Sequence, residues 1–506
     1  MKLKNVWYLV LVAIISFSVC TVFAKDVQDN RQREGGRGRN YYDRAGRGEG
    51  RIGSGQSGRG GQSRGGNAPP AIFHNKVPEH EIDIILGRPT DNSITFNIVA
   101  YDDVEACLEY GTKKDSLSSR TKTYQFKDQE PVEIVLTSLK PDTKYYYRLS
   151  SEELPKATEG TFHTQRSSGS SFTFTIQADS HIDLNTDVRL YERTLLNMLA
   201  DRPDFLVDLG DTFMTGRARK YEPLSLYLAQ RYYFGKVCHS VPLFLVLGNH
   251  DGEFAGGDTA PVLLRKKYYP NPFPDGFFTG NEVEKKGVGL LEDYYSWQWG
   301  NSLFVVLDPF WYTDRRQRGR DDNWYFSLGE AQYRWLKETL EGSEAAFKFI
   351  FIHHLVGGLN NNGVARGGAE AAKYFEWGGY SFDGRYDFRE KRPGWEMPIH
   401  DMLVKNNVSV VFHGHDHFFA KQELDGIVYH LLPQPGHLKC TFPRNSADYG
   451  YVTGDIVGGS GYLRVSISAS KATVDFVRAF LPSDEAGGRK NGEIAHTYTI
   501  KSGFAK

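Results

Sequence analysis

The chain has 506 residues, 61 Lys and Arg against 62 Asp and Glu for a formal net charge of −1, and 40% apolar content. That length exceeds what one core usually holds, so at least two domains are expected. Four cysteines exclude a disulfide-built scaffold, and once Cys20 leaves with the leader only Cys107, Cys238 and Cys440 remain, each expected as a buried free thiol.

Lys2 and Lys4 precede an apolar run from Trp7 to Cys20, and Val22-Phe23-Ala24 offers a cleavage site. The run is shorter than the roughly 20 residues a spanning helix needs, so residues 1–24 read as a signal peptide. The mature chain is then secreted or otherwise extracytoplasmic, with no transmembrane segment. Residues 25–75 are dominated by Gly, Arg, Ser and Gln, a composition that cannot offset the entropy of ordering, and are expected to be a disordered tail. Its Arg-Gly pattern carries few aromatics to stack on bases, which favours a plain linker and no stable nucleic-acid partner.

Residues 76–166 have the cadence of an all-β sandwich: EIDIILG, SITFNIVA, ACLEYG, VEIVLTSL, KYYYRLS and EGTFHT are short strands between turn signals. Leu139-Lys140-Pro141-Asp142-Thr143-Lys144-Tyr145 resembles the fibronectin type III pattern before the sixth strand, with Tyr145 placed for a tyrosine corner. The job expected of this domain is to cover or position the next one.

From residue 167 to 485, five polar motifs follow apolar runs. They are Asp179-Ser180-His181 after SFTFTIQA, Gly210-Asp211 after FLVDL, Gly248-Asn249-His250-Asp251 after PLFLVL, His353-His354 after FKFIFI, and Gly414-His415-Asp416-His417 after VSVVFH. Runs of this kind read as buried strands, and in α/β sheets ligands bind at the carboxyl ends of strands. Singly, each motif is commoner as a turn or a polar cap. Together they bring imidazoles, carboxylates and an amide to one edge, a mixed N/O donor set suited to Zn, Fe or Mn. A carboxylate after Gly at a strand end can bridge two ions, and Asp211 is the natural candidate.

Between the third and fourth motifs, Tyr268-Tyr269-Pro270, Phe273-Pro274, Phe277-Phe278 and Trp311-Tyr312 interleave with Arg315, Arg316, Arg318 and Arg320. Aromatic loops on a rigid sheet are candidates for substrate recognition. Tyr294 to Trp299 followed by LFVVLD reads as a strand pair, and 330–342 as an amphipathic helix ending at Gly342. Residues 486–506 are a separate C-terminal segment.

The series D-x-H, GD, GNH, H and GHxH resembles the calcineurin-like metallophosphoesterases, and the chain layout resembles their purple-acid-phosphatase-like branch. The resemblance implies an α/β (α+β) fold of two packed sheets flanked by helices, here preceded by the sandwich. Carried over, it makes Asp179, His181 and His417 ligands of one ion and Asn249, His353 and His415 ligands of the other. Asp211 would be the bridge and His250 the uncoordinated catalytic imidazole. His353 is preferred to His354 because the family's ligand commonly precedes x-Pro, with Leu355 here in the proline place, but both stay open. Met214 stands where the coloured phosphatases have a tyrosine ligand, so no tyrosinate-iron centre is expected. Met214 and Thr215 also replace the Asp and Arg of the serine/threonine phosphatases.

The expectation is an exported hydrolase of small phosphoesters, foremost a phosphomonoesterase, with two transition-metal ions (Fe, Zn or Mn) and a metal-bridging hydroxide as nucleophile. His250 would protonate the departing alkoxide or stabilise its charge, a role suited to an imidazole titrating near working pH. Asp251 would orient that ring or point to solvent. The rivals are a phosphodiesterase of the same fold and a non-catalytic surface binding protein.

Overall fold

Strand identity follows the apolar runs almost one for one. The computed structural model describes residues 72–154, 157–218, 223–315, 322–359, 365–437 and 446–502. The leader, residues 25–71, Cys440, Arg316, Arg318 and Arg320 lie outside the described residues. No helix among the described residues is long and apolar enough to cross a membrane.

The six runs read in 76–166 are the strands Ile82–Gly87, Ile94–Ala100, Val104–Gly111, Pro131–Leu136, Lys144–Ser150 and Thr158–His163. Two shorter ones, Ser119–Arg120 and Tyr124–Phe126, are too brief to show alternation and pair with Val104–Gly111. A three-stranded and a five-stranded sheet result, closed over one core that includes Phe96, Ile98, Leu108, Tyr147 and Leu149. The Tyr145 hydroxyl oxygen accepts the Lys140 N–H at 2.8 Å, the back-bond of a tyrosine corner.

Two larger sheets build the rest. The six-stranded sheet runs Leu243–Leu245, Phe205–Asp208, Phe172–Gln177, Gly461–Ile467, Lys471–Arg478, Ile494–Lys501, and its first three strands are parallel. The eight-stranded sheet runs Thr279–Gly280, Tyr295–Trp299, Ser302–Val306, Phe347–Phe351, Val410–His413, Ile427–Leu431, Phe419–Leu424, Asp455–Val457. In it Ser302–Val306, Phe347–Phe351, Val410–His413 and Ile427–Leu431 are parallel. The sheets face each other through phenylalanine: Phe205 meets Phe304 with ring centroids 5.2 Å apart and Phe174 meets Phe349 at 5.6 Å. Helices Val188–Asp201 and Pro223–Cys238 cover one outer face, and Glu330–Glu341 and Ile399–Lys405 the other. Coverage on both faces explains why FKFIF and VVFH are buried throughout instead of alternating. The helix Glu330–Glu341 buries Tyr333, Leu336 and Leu340 and stops at Gly342, as its spacing predicts. Residues 486–506, set apart on sequence, carry Ile494–Lys501, which pairs along Lys471–Arg478 as an edge strand with its half-exposed alternation.

The first part of the aromatic stretch, from Tyr268 to Phe278, departs from its reading as substrate loops. Tyr268, Tyr269 and Phe278 are buried; the Tyr268 hydroxyl donates to the Gln129 carbonyl at 3.1 Å and that of Tyr269 to the Tyr227 carbonyl at 2.8 Å. Phe273 lies under Arg88, 5.0 Å from its guanidinium. Tyr268, Tyr269 and Phe273 pack where the sandwich meets the sheets, a junction filled as densely as a core, while Phe278 joins the core between the two sheets.

Arg231, fully buried on the helix Pro223–Cys238, anchors that junction. Its guanidinium donates to Asn97 Oδ1 at 2.8 Å, to the Asn97 carbonyl at 3.0 Å and to the Tyr268 carbonyl. The Tyr147 hydroxyl adds a bond to the His239 carbonyl at 2.6 Å. Arg231→Met keeps the bulk and removes the donors, leaving several buried acceptors unpaired at about 1–3 kcal/mol each. A loss of about 2–4 kcal/mol is expected in urea unfolding, and an unchanged midpoint rejects the anchor.

Candidate metal centre

The five motifs converge because their strands end together. Phe172–Gln177, Phe205–Asp208 and Leu243–Leu245 are parallel in one sheet, Phe347–Phe351 and Val410–His413 in the other, and each polar tip follows its strand by a few residues. The Gly residues set how close the tips come. A Cβ on Gly210 would lie 2.4 Å from the Gly248 nitrogen, and one on Gly248 would lie 2.0 Å from the Asp211 nitrogen, so the second and third motifs touch backbone to backbone.

The chain turns sharply at the tips. Asp179, His181, Asp211, Met214, His415 and His417 have φ between 51° and 77°. Asp and His enter that region more readily than bulky residues, and each such residue costs on the order of 1–3 kcal/mol that surrounding bonds must offset.

Two donor groups result: Asp179 with His181 and His417, and Asp211 with His353 and His415, the ligand atoms of each lying within 4.8 Å of one another. Asp211 Oδ2 faces both, 3.6 Å from His181 Nε2 and 3.4 Å from His353 Nε2. Asp179 Oδ1 lies 3.4 Å from His417 Nε2. Asn249 Oδ1 is 3.1 Å and His415 Nδ1 3.3 Å from His353 Nε2. The Nδ1 of His353 is 2.8 Å from the Leu209 carbonyl and donates to it, so its neutral form turns the Nε2 lone pair to the cluster. His354 turns the other way, with its ring 5.0 Å from Phe310 and 5.7 Å from Phe326 and its Nδ1 donating to the Leu355 carbonyl at 3.0 Å.

The donors fit metal ions. Asp179 Oδ1, His181 Nε2 and His415 Nε2 are buried with no hydrogen-bond partner among the described residues, and buried polar atoms are otherwise nearly always paired. The N/O set without thiolate suits Zn, Fe or Mn; the free thiols Cys107 and Cys238 are buried outside both donor groups. Charge within the cluster is strongly coupled. Burial disfavours the charged forms, yet the facing histidines hold the Asp179 and Asp211 carboxyls well below their ordinary range. Burial likewise opposes, but Asp211 and Asp179 overcome it, raising His353 to about 9.

His250 stands beside the cluster, its N–H donating to Asp211 Oδ1 at 2.7 Å and its Nε2 3.9 Å from Asp211 Oδ2. Its side chain is 19% exposed and that of His417 39%, so these two histidines mark the open side. Burial drives His250 down to about 4 against the pull of Asp211, away from the near-neutral titration expected of it.

Asp251 departs from both of its readings, since it neither orients His250 nor meets solvent. Its carboxylate is buried and accepts backbone N–H groups of Gly248 (2.8 Å), Asp211 (3.1 Å), Thr212 (2.9 Å) and Phe213 (2.7 Å). It thereby clasps the Asp211 turn to the Asn249 turn. Asp416 does the same for the last motif, accepting from Arg366, from Gly367 N–H at 3.0 Å and from the Tyr451 hydroxyl at 2.8 Å. Gln434 donates to the Asp179 carbonyl at 3.1 Å. Asp251 and Asp416 sit inside the motifs, where their chemistry alone suggests ligands, and nothing local signals partners dozens of residues away.

Residues 172–419 match the family model described as calcineurin-like phosphoesterase. Among solved structures, one described as the structure of PhoD is similar with 14% identity over 86% of this chain and 92% of that one, at a TM-score of 0.57. A purple acid phosphatase, PPD1 from yellow lupin (Lupinus luteus) seeds, is similar with 13% identity over 83% of this chain and 74% of that one, at 0.53. Both likenesses are of fold. No curated protein matches the chain.

Asp251→Ala strips the acceptor from five buried N–H groups, that of Met214 included, and about 3 kcal/mol or more of stability should go with it. Asp251→Asn, which keeps one acceptor oxygen, should lose less. Thermal unfolding of the metal-free proteins checks the order, and an equal effect of the two rejects the clasp.

Proposed function

Residues 172–419 are a calcineurin-like phosphoesterase domain, and from that premise we propose that the protein is an exported, dinuclear metal-dependent phosphomonoesterase. The observation that carries the reading is Asp211 Oδ2, set between His181 and His353 at 3.6 and 3.4 Å, where one carboxylate can serve two ions. Asp179, His181 and His417 would hold one ion and Asn249, His353 and His415 the other. Bound there, two cations supply Lewis-acid polarisation of the phosphoryl group and a nucleophile at neutral pH.

The chain's own part is positioning and proton traffic. The clasped turns keep the donors in place before substrate arrives, which is where most of such a site's power lies. In the reaction a water oxygen bonds to phosphorus, the ester P–O bond breaks, and one proton ends on the departing oxygen. His250, on the open side and outside both donor groups, is the side chain placed to hold the developing charge with its ring N–H, which the neutral form favoured by burial retains, or in its protonated form to deliver that proton. Export rests on the basic and apolar leader, and the small phosphoester is the partner this chemistry requires.

Elemental analysis of purified full-length protein should find two transition-metal ions per chain, and Asp211→Asn should deplete both together; one ion or none in active wild type sinks the dinuclear reading. Paired aryl phosphate mono- and diesters should show the monoester preferred, and the reverse would make the protein a phosphodiesterase. His250→Ala should keep both metals and lose about 10²–10⁴-fold in turnover, with a smaller loss for nitrophenyl esters, whose leaving group needs little protonation. An equal loss for good and poor leaving groups would assign His250 to charge stabilisation, and loss of metal would make it a ligand.

A further inference from the structure

A cavity of about 680 Å³ lies between the loop that follows the His250 turn and the loop that follows Ser302–Val306, with Phe254, Gly256, Trp311, Tyr312, Asp314 and Arg315 in its lining. Its size falls within the roughly 300–1,000 Å³ of small-molecule sites. Two loops wall it. The first continues from the His250 turn: Phe254 follows His250 by four residues, so at most about 14 Å of chain separates them. The second leaves the carboxyl end of Ser302–Val306, a strand parallel to Phe347–Phe351 and therefore ending on the edge that carries the metal donors. That second loop runs close to the centre, for Phe310, the residue before Trp311, has its ring 5.9 Å from that of His353. The loops are tied together where the Ala255 N–H donates to the Trp311 carbonyl at 3.3 Å.

The walls are flat and held in place. Trp311 packs with Val262, Val288 and Leu291. Tyr312 lies so close to Gly329 that a Cβ there would be 2.5 Å from its Cγ, and Gly329 has φ 77°, which only glycine adopts freely. The Arg315 guanidinium stacks over Phe254 at 4.0 Å from the ring centroid. Aromatic faces and a guanidinium plane recognise planar π systems by stacking, whereas a bare sugar offers no such face.

Resting on the phosphomonoesterase reading, we propose that this cavity binds the leaving group of the substrate and that the substrates are phosphate monoesters of planar aromatic alcohols or nucleosides. One wall of the cavity continues from the turn that carries His250, the group assigned to the departing oxygen. A nucleoside 5′-phosphate whose phosphoryl group sits at the donor cluster would reach it with its base.

Adenosine 5′-phosphate and ribose 5-phosphate test this, because both release a primary alkoxide and differ only in the base. The metal-loaded full-length protein should show kcat/KM at least about tenfold higher for the nucleotide, the scale of one base–aromatic stack. Phe254→Ala should bring that ratio to within about twofold of one, and Phe254→Tyr should restore it. Calorimetry with adenosine and with ribose, neither of which carries phosphate, reads the cavity independently of turnover: adenosine should bind, and ribose should not. Adenosine binding no better than ribose, together with a wild-type ratio near one, overturns the proposal even if p-nitrophenyl phosphate is hydrolysed. Intact adenosine binding with no hydrolysis of p-nitrophenyl phosphate overturns the phosphatase reading instead and leaves the aromatic cavity standing.

Discussion

Where the Gly210–Asp211 turn meets the Gly248–Asn249 turn, a methyl group on Gly248 would sit 2.0 Å from the Asp211 nitrogen. The buried N–H groups of both turns are satisfied at once by the Asp251 carboxylate. The rest of the centre depends on this clasp, because it sets Asp211 and Asn249 at a fixed separation on one sheet while His353 and His415 approach from the other. A centre assembled from five loops of independent mobility would lose the donor spacing that the two packed sheets impose.

Most of the molecule can be understood as what keeps those sheets in register. The phenylalanine layer between them is stiff and dense, so strand ends are displaced only as whole sheets. Outside it, the sandwich docks through Arg231, whose donors bridge Asn97 on a sandwich strand and Tyr268 beyond it. A buried arginine held by amide and carbonyl oxygens contributes orientation as much as stability, since these acceptors accept its fork in one geometry. The same junction consumes Tyr268 and Tyr269, and the inter-sheet core takes Phe278, which leaves Phe254, Trp311 and Tyr312 as the aromatic residues lining the cavity.

Backbone strain is concentrated at the donors. Positive φ is found at five members of the two donor triads, Asp179, His181, Asp211, His415 and His417, and at the buried Met214. Their conformations persist because carboxylates that are not themselves donors, Asp251 and Asp416, hold the adjoining backbone or the elements packed against it. Acidic residues inside metal motifs thus divide into those that face the cluster and those that build the loop, and residue type does not separate the two.

The fold and the convergence of the candidate donors were legible in the sequence because both are written locally. Apolar runs of strand length define the sheets, and each donor follows its own run within a few residues, so order and spacing alone assemble the list from Asp179 to His417. The choice between His353 and His354 was not legible. Alternation puts Phe349 and Phe351 with the inter-sheet core and Ile350 and Ile352 with the helix-covered face. His353 continues the first series and His354 the second, but only the packed sheets decide which face the cluster occupies. The same holds for Asp251, whose partners lie about 40 residues earlier, for the pair Arg366 and Asp416, 50 residues apart, and for the aromatic residues between the third and fourth motifs. Their roles are contacts across long stretches of chain, and a sequence records which groups need partners without recording where folding will place them.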